Sequence, residues 1–298
     1  MDELELLDNA NGEEKEEPQC AENAENTTAC DSACSESGDA DSAEPAAVEA
    51  ESGDQGEYKG DNYAKDAKLV LECNELSKSY GNILALDGVS FKIPEGKVIG
   101  LLGPNGSGKT TFIKIVAGLL TADKGEVTVC GNSIGVETKK VVSYLPERNS
   151  IPEHFTVGEA MEFYRDFFAD FDTERAETML SALRVPKHLK IKSLSKGTKE
   201  KVQLVMVMSR RAKLYVLDEP ISGVDPAARD YIIDTIIHNF APESSVVIST
   251  HLISDIEKVM DGFIFLKYGK IACIGTPQGL MRKLGKTVDE YFREVFRC

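Results

Sequence analysis

Gly103-Pro104-Asn105-Gly106-Ser107-Gly108-Lys109-Thr110, with a second threonine at Thr111, satisfies the pattern G-x-x-x-x-G-K-[ST] in full. At average residue usage such a match arises by accident in roughly 1% of chains this long. Here it follows the apolar run Val98 to Leu102, of strand length, and precedes a segment predicted to open a helix near Lys109. That order turns a string match into a mechanism. The glycines let backbone N–H groups turn inward around phosphate oxygens, and the helix start adds the positive end of its dipole. Lys109 is expected to neutralise the β- and γ-phosphates of a nucleotide, and the Thr110 hydroxyl to ligate Mg²⁺.

Further along, Leu214 to Leu217 and Ser245 to Ile248 are apolar runs that end in polar clusters, as buried strands of an α/β sheet do. Ligands of such sheets bind at the carboxyl ends of the strands. The first run delivers two carboxylates, Asp218 and Glu219. Asp218 is suited to holding Mg²⁺, and Glu219 to polarising an attacking water as general base. Val157 to Ala169 and Thr173 to Arg184 are predicted to be consecutive helices with no strand between them, which implies a helical insertion in the α/β core. Phe263 to Leu266 and Lys270 to Ile274 are predicted to pair as a hairpin around Tyr268-Gly269.

Several shorter motifs stand in a telling order around these two. Leu194-Ser195-Lys196-Gly197-Thr198 resembles the signature motif of ABC ATPases, Ser222-Gly223-Val224-Asp225-Pro226 their D-loop, and Ser249-Thr250-His251 their switch histidine. The resemblance runs from about Leu69 to Leu284. It implies a P-loop NTPase fold with a mainly parallel core sheet, an antiparallel β subdomain and an inserted α-helical subdomain. It also implies ATP and Mg²⁺ as ligands, with Tyr80 stacking on adenine, His251 sensing the γ-phosphate, and Ser195, Gly197 and Asp225 meeting the nucleotide. Two departures from the family pattern stand out. Tyr144-Leu145-Pro146-Glu147 carries a glutamate where the family has a metal-sensing glutamine, so Glu147 inherits that role with an added charge. The signature has Lys196 and Thr198 where glycine and glutamine are commonest, but retains Ser195 and Gly197.

The chain has 298 residues and a net charge of −16, and the charge is unevenly spread. Residues 1 to 60 contain 19 acidic residues against two basic ones, while the remainder has 32 basic against 31 acidic. The leader, 1–66, is therefore predicted to be disordered, since it has too little apolar surface to offset chain entropy. It has neither the basic start nor the apolar stretch of a secretion signal. The most apolar later run, Val202 to Met208, is far shorter than the ~20 residues a bilayer requires. Seven scattered cysteines without such a signal suit reduced thiols in a cytoplasm.

These readings predict a leader at 1–66, an ABC ATPase domain at 67–285 with its helical subdomain at about 151–192, and a helical extension at 286–298. One phosphate loop and one signature cannot complete a site in a single copy, so the resemblance implies a homodimer with the signature acting in trans. It further implies an integral membrane permease as partner, with this subunit cytoplasmic and peripheral on the inner face of the membrane. Five of the twelve phenylalanines, with Tyr164, crowd into 155–171, where the family meets its membrane partner. The wording of the motifs resembles bacterial exporters of antibiotic or multidrug type. The alternative is a soluble ABC-family ATPase acting on ribosomes or nucleic acid. A near-neutral folded part with no basic surface and no coiled coil argues against it, and nucleic acid is not expected as a partner.

Overall fold

The computed structural model describes residues 68–222, 224 and 226–296, and the side chains of 226–228 are not among its described parts. The acidic leader and two residues of the expected D-loop, Gly223 and Asp225, lie outside the described residues. In chain order the strands are β1 Leu69–Tyr80, β2 Ile83–Pro94, β3 Val98–Leu102, β4 Lys124–Val129, β5 Asn132–Ser133, β6 Val142–Leu145, β7 Leu214–Asp218, β8 Ser245–Thr250, β9 Gly262–Lys267 and β10 Lys270–Gly275. The α-helices are α1 Lys109–Val116, α2 Val136–Val141, α3 Val157–Phe167, α4 Thr173–Ala182, α5 Lys196–Met208, α6 Pro226–His238, α7 Ile253–Ile256, α8 Pro277–Leu284 and α9 Val288–Val295.

Two sheets result, ordered β2-β1-β4-β5 and β10-β9-β3-β8-β7-β6. The first is antiparallel throughout. The second is parallel from β9 to β6, with β10 returning antiparallel along its edge. In β3, β7 and β8 every residue is buried, because helices or the other sheet cover both faces of these central strands. The hairpin around Tyr268-Gly269 is the β9-β10 pair, and residue 268 takes a left-handed φ of 49°.

Between β6 and β7 the chain leaves the sheet and forms α3, α4 and α5. Each opens on a side-chain cap: Thr156 accepts from the Glu159 N–H, Asp172 from the Arg175 N–H, and Ser195 from the Thr198 N–H. At Thr156 the Glu159 carboxylate reciprocates toward the cap's own N–H, a capping box. The apolar run Val202 to Met208 is the buried half of α5, packed against the other insertion helices and one face of the parallel sheet. A second core fills the space between the antiparallel sheet and the opposite face, with Phe112, Ile113 and Val116 of α1 inside it. Helix α1 therefore starts at the seam of the two sheets. No described helix is long and apolar enough to cross a membrane.

Candidate active site

The loop 103–108 joins β3 to α1 at that seam. Gly103 is packed so tightly that a Cβ there would lie 2.4 Å from the Leu266 carbonyl oxygen and 2.5 Å from Ser107 Oγ. Gly108, with a φ of 106°, is in a region closed to other L-residues, and a Cβ on it would meet the Ala85 carbonyl oxygen at 2.4 Å. The pattern thus needs its first and last glycines for steric reasons visible here. The Lys109 side chain curls back over the loop. Its ammonium donates to the carbonyls of Gly103 at 2.8 Å and Pro104 at 3.2 Å.

Across the sheet, β7 and β8 run in register with Asp218 opposite Ser249. Asp218 is only 1% exposed. Its Oδ1 accepts from Ser249 Oγ at 2.7 Å and from Thr110 Oγ1 at 3.2 Å. Its Oδ2 is buried without a hydrogen-bond partner among the described residues, as is Ser107 Oγ in the loop. Burial pushes the Asp218 carboxyl above the usual range, against the hydrogen bonds from Ser249 and Thr110 that favour its charged form, and the Glu147 carboxylate adds to the rise. Burial also lowers the Lys109 pKa, opposed by the negative charges of Glu219 and Asp218. The Tyr144 phenol, half-buried beside the site, is pushed up to about 12 by burial and then by the charges of Asp218 and Glu147.

Glu219 follows directly, with a left-handed φ of 51° that is costly for a residue bearing a Cβ. The twist turns its side chain back over the loop. One carboxylate oxygen lies 3.0 Å from His251 Nδ1 and the other 3.8 Å from Lys109 Nζ. A cleft of about 450 Å³ opens over these groups, lined by Tyr80, residues 105–111, Glu147, Glu219, Ser222 and His251, with Ala85 on the antiparallel-sheet side. The shape and chemistry suit a nucleoside polyphosphate: backbone amides and an ammonium at one end, an aromatic face at the other.

A cation fits the same arrangement. Among the described residues no three His, Cys, Asp or Glu side chains gather to form a metal cage. Thr110 Oγ1, both oxygens of Asp218 and the nearby Glu147 do offer hard oxygen donors beside the phosphate cradle, and Asp218 Oδ2 lacks a partner of its own among the described residues. Mg²⁺ characteristically binds through one or two such groups together with substrate phosphates.

Of the residues singled out from sequence, those from Asn105 to Thr111, with Tyr80, Glu147, Glu219 and His251, surround one cleft. Gly103 and Pro104 anchor the lysine, and Asp218, which does not itself line the cleft, is buried behind it and hydrogen-bonded to Thr110, which does. Ser195 and Gly197 stand apart: they open α5 in the helical insertion and do not line the cleft. Sequence reasoning assigned no part to Ser249 or Ala85. Ser249 sits on a strand whose position opposite Asp218 depends on sheet order, and nothing local marks Ala85.

Comparison with known proteins gives matches of one kind. The family model described as ABC transporter matches residues 86–222. An ABC transporter ATP-binding protein of Methanocaldococcus jannaschii is 32% identical over 222 residues, covering 73% of this chain and 81% of that one. The linearmycin resistance ATP-binding protein of Bacillus subtilis is 29% identical over 224 residues, 72% of each chain. Among solved structures, an ATP-binding subunit of an ABC transporter superimposes with a TM-score of 0.70 at 28% identity, covering 76% of this chain and all of that one.

Proposed function

The chain belongs to the family of ABC transporter ATP-binding proteins, and from that premise we propose that two copies hydrolyse MgATP between them to drive a separate membrane permease. The observation that carries the reading is the placement of Glu219. Its carboxylate is held between His251 and Lys109 at the edge of the phosphate loop, where an attacking water must approach the terminal phosphate.

On this reading Lys109 and the loop amides bind the β- and γ-phosphates, and Tyr80 stacks on the base. Glu219 accepts the proton of the attacking water as its oxygen bonds to the γ-phosphorus, while the bond from that phosphorus to the β–γ bridging oxygen breaks and leaves the bridging oxygen on ADP. His251 keeps the Glu219 carboxylate aimed and donates toward the γ-phosphate. Asp218, Thr110 and Glu147 are the groups that would hold Mg²⁺, which when bound supplies charge neutralisation to the phosphates. Because Ser195 and Gly197 do not line the cleft of their own chain, a second copy is the natural source of that contact. ATP would then close a homodimer, and hydrolysis would reopen it.

The permease contact is proposed to be the helical insertion. Phe163 and Phe167 of α3 are 40% and 70% exposed, and Tyr164 of the same helix and Phe168 just past its end line a groove of about 260 Å³ together with Tyr144 and Leu119. An apolar groove with exposed aromatic rings suits an incoming amphipathic helix. The subunit would thus sit on the cytoplasmic face of a membrane without entering it. A likeness to a linearmycin resistance protein supports an exporter, and cargo selection belongs to the permease. The ribosomal or nucleic-acid alternative is not favoured by matches that are named for ABC transporters.

Glu219→Gln tests the reading. It keeps the shape of the side chain and removes its basicity, so turnover should fall ~10²- to 10⁴-fold while MgATP still binds. On a sizing column this variant should be monomeric alone or with ADP and dimeric with ATP. Adding Ser195→Arg should abolish the dimer. Near-normal turnover in Glu219→Gln would remove Glu219 as the base.

A further inference from the structure

We propose that Ser249 is a positioning residue whose single hydroxyl orients both carboxylates at the end of β7, setting Asp218 for the cation and Glu219 for the water. The inference rests on the roles given above to Asp218 and Glu219. Ser249 is fully buried in β8, directly opposite Asp218 in the parallel register.

A serine hydroxyl has one hydrogen to give and two lone pairs to receive with. The Ser249 hydrogen is committed to Asp218 Oδ1, at 2.7 Å. A lone pair receives the backbone N–H of Glu219, at 3.0 Å, and the Ser249 carbonyl oxygen shares the same N–H at 3.1 Å. Each contact has a distinct consequence. The first, with Thr110 Oγ1 on the same oxygen, fixes the plane of the Asp218 carboxylate and leaves Oδ2 as its one oxygen without a partner among the described residues. The second holds the peptide leading into Glu219 while that residue takes a left-handed φ of 51°, the twist that returns its side chain to His251 and Lys109.

The two tasks are linked through one strand. Ser249 lies in the last two residues of β8 and His251 directly follows the strand, one gripping the Glu219 main chain and the other its side chain. Replacing Ser249 by alanine removes the shared hydroxyl but leaves the carbonyl contact in place. The Asp218 carboxylate then has Thr110 alone to orient it, and the Glu219 turn loses half of its anchor.

The test uses the full chain and reads metal binding separately from turnover. Mn²⁺ serves as the probe, titrated into the ATP complex and followed by electron paramagnetic resonance, with ATP affinity in EDTA and the melting temperature measured alongside. A hydrogen bond to a charged group is worth tenfold or more in an equilibrium. Ser249→Ala should therefore weaken Mn²⁺ about tenfold and lower kcat by a similar or larger factor. ATP affinity in EDTA, which depends on the Lys109 loop, should stay within about twofold, as should KM for ATP. Ser249→Thr keeps the hydroxyl and should restore Mn²⁺ binding. Asp218→Asn is the control on the underlying reading. If Asp218→Asn loses Mn²⁺ while Ser249→Ala binds it normally, the positioning role is wrong and the Asp218 reading survives. If Asp218→Asn also binds Mn²⁺ normally, the Asp218 reading falls and the proposal with it. A Ser249→Thr protein that melts like the wild type yet binds Mn²⁺ as weakly as Ser249→Ala likewise overturns the role given to the hydroxyl.

Discussion

Replacing Arg210 with methionine should detach the helical insertion from the core sheet and cost about 3 kcal/mol of stability. Arg210 is only 3% exposed and sits just beyond the end of α5. Its guanidinium makes a two-pronged ion pair with Asp170, at 3.0 and 3.1 Å, on the turn between α3 and α4. It also donates to the carbonyls of Val142 at 2.6 Å, Lys140 at 3.0 Å and Lys139 at 3.3 Å, where α2 runs into β6. The ring of Phe168 lies 3.9 Å beneath it. One side chain thus ties insertion to core. Breaking a buried ion pair by removing one partner typically costs about 3–5 kcal/mol. The Asp170 side chain is 24% exposed, so water can recover part of that loss. The orphaned carbonyls add to the cost, and methionine refills much of the volume over Phe168, which brings the sum back to about 3 kcal/mol. For a domain of this size that is a fall in melting temperature of about 6–12 °C. Urea unfolding of the wild type, Arg210→Met, Asp170→Asn and the double variant would measure both the total and the coupling. A loss under about 1 kcal/mol for Arg210→Met, or additive effects in the cycle, would refute the pin.

Gly108→Ala should abolish ATP binding measured by calorimetry while the chain still folds, because the added Cβ must displace the Ala85 backbone from the loop. Glu147→Gln should retain MgATP binding, and an increase in turnover is the expected direction, since it restores a neutral group beside Asp218; loss of MgATP binding would give Glu147 a role of its own. Asp123 accepts hydrogen bonds from Lys78 and from the N–H and hydroxyl of Ser79, which hold its carboxyl well below the usual range. A lowered folded-state pKa contributes stability that is present above the unfolded value near 4 and lost as pH falls below it. Asp123→Asn should accordingly flatten the melting-temperature profile between about pH 4 and 2, and an unchanged acid limb would contradict the argument. Cys73 is buried, donates to the Val89 carbonyl and has its thiol pushed up to about 12, so mass spectrometry after alkylation at pH 8 should find it modified only once the protein is unfolded.

Local chemistry made much of this protein legible from its residues alone. The strand–loop–helix around Lys109 was readable because a phosphate cradle needs its glycines within a few residues of one another. The same holds for the paired carboxylates at the end of β7. The ends of elements were less legible. The strands β7 and β8 run on into Asp218 and into Ser249-Thr250, polar residues that pair by register with a neighbouring strand. Helix α3 stops at Phe167, where Phe168 turns extended beneath the Arg210 guanidinium. The long β1-β2 pairing escapes a simple alternation because its register shifts at several points, one beside the left-handed Glu75.

What only the tertiary structure decided are the contacts that give the site its chemistry. Thr110 meets Asp218 across 108 residues of sequence, Glu219 meets His251 across 32, and Arg210 reaches Val142 across 68. None of these follows from spacing, since they arise when the sheet order sets β8 between β3 and β7 and brings three strand ends to one edge. Sequence fixes which groups a strand carries to its end. Which of them then touch is settled by how the strands are shuffled, and that depends on burying two apolar cores at once.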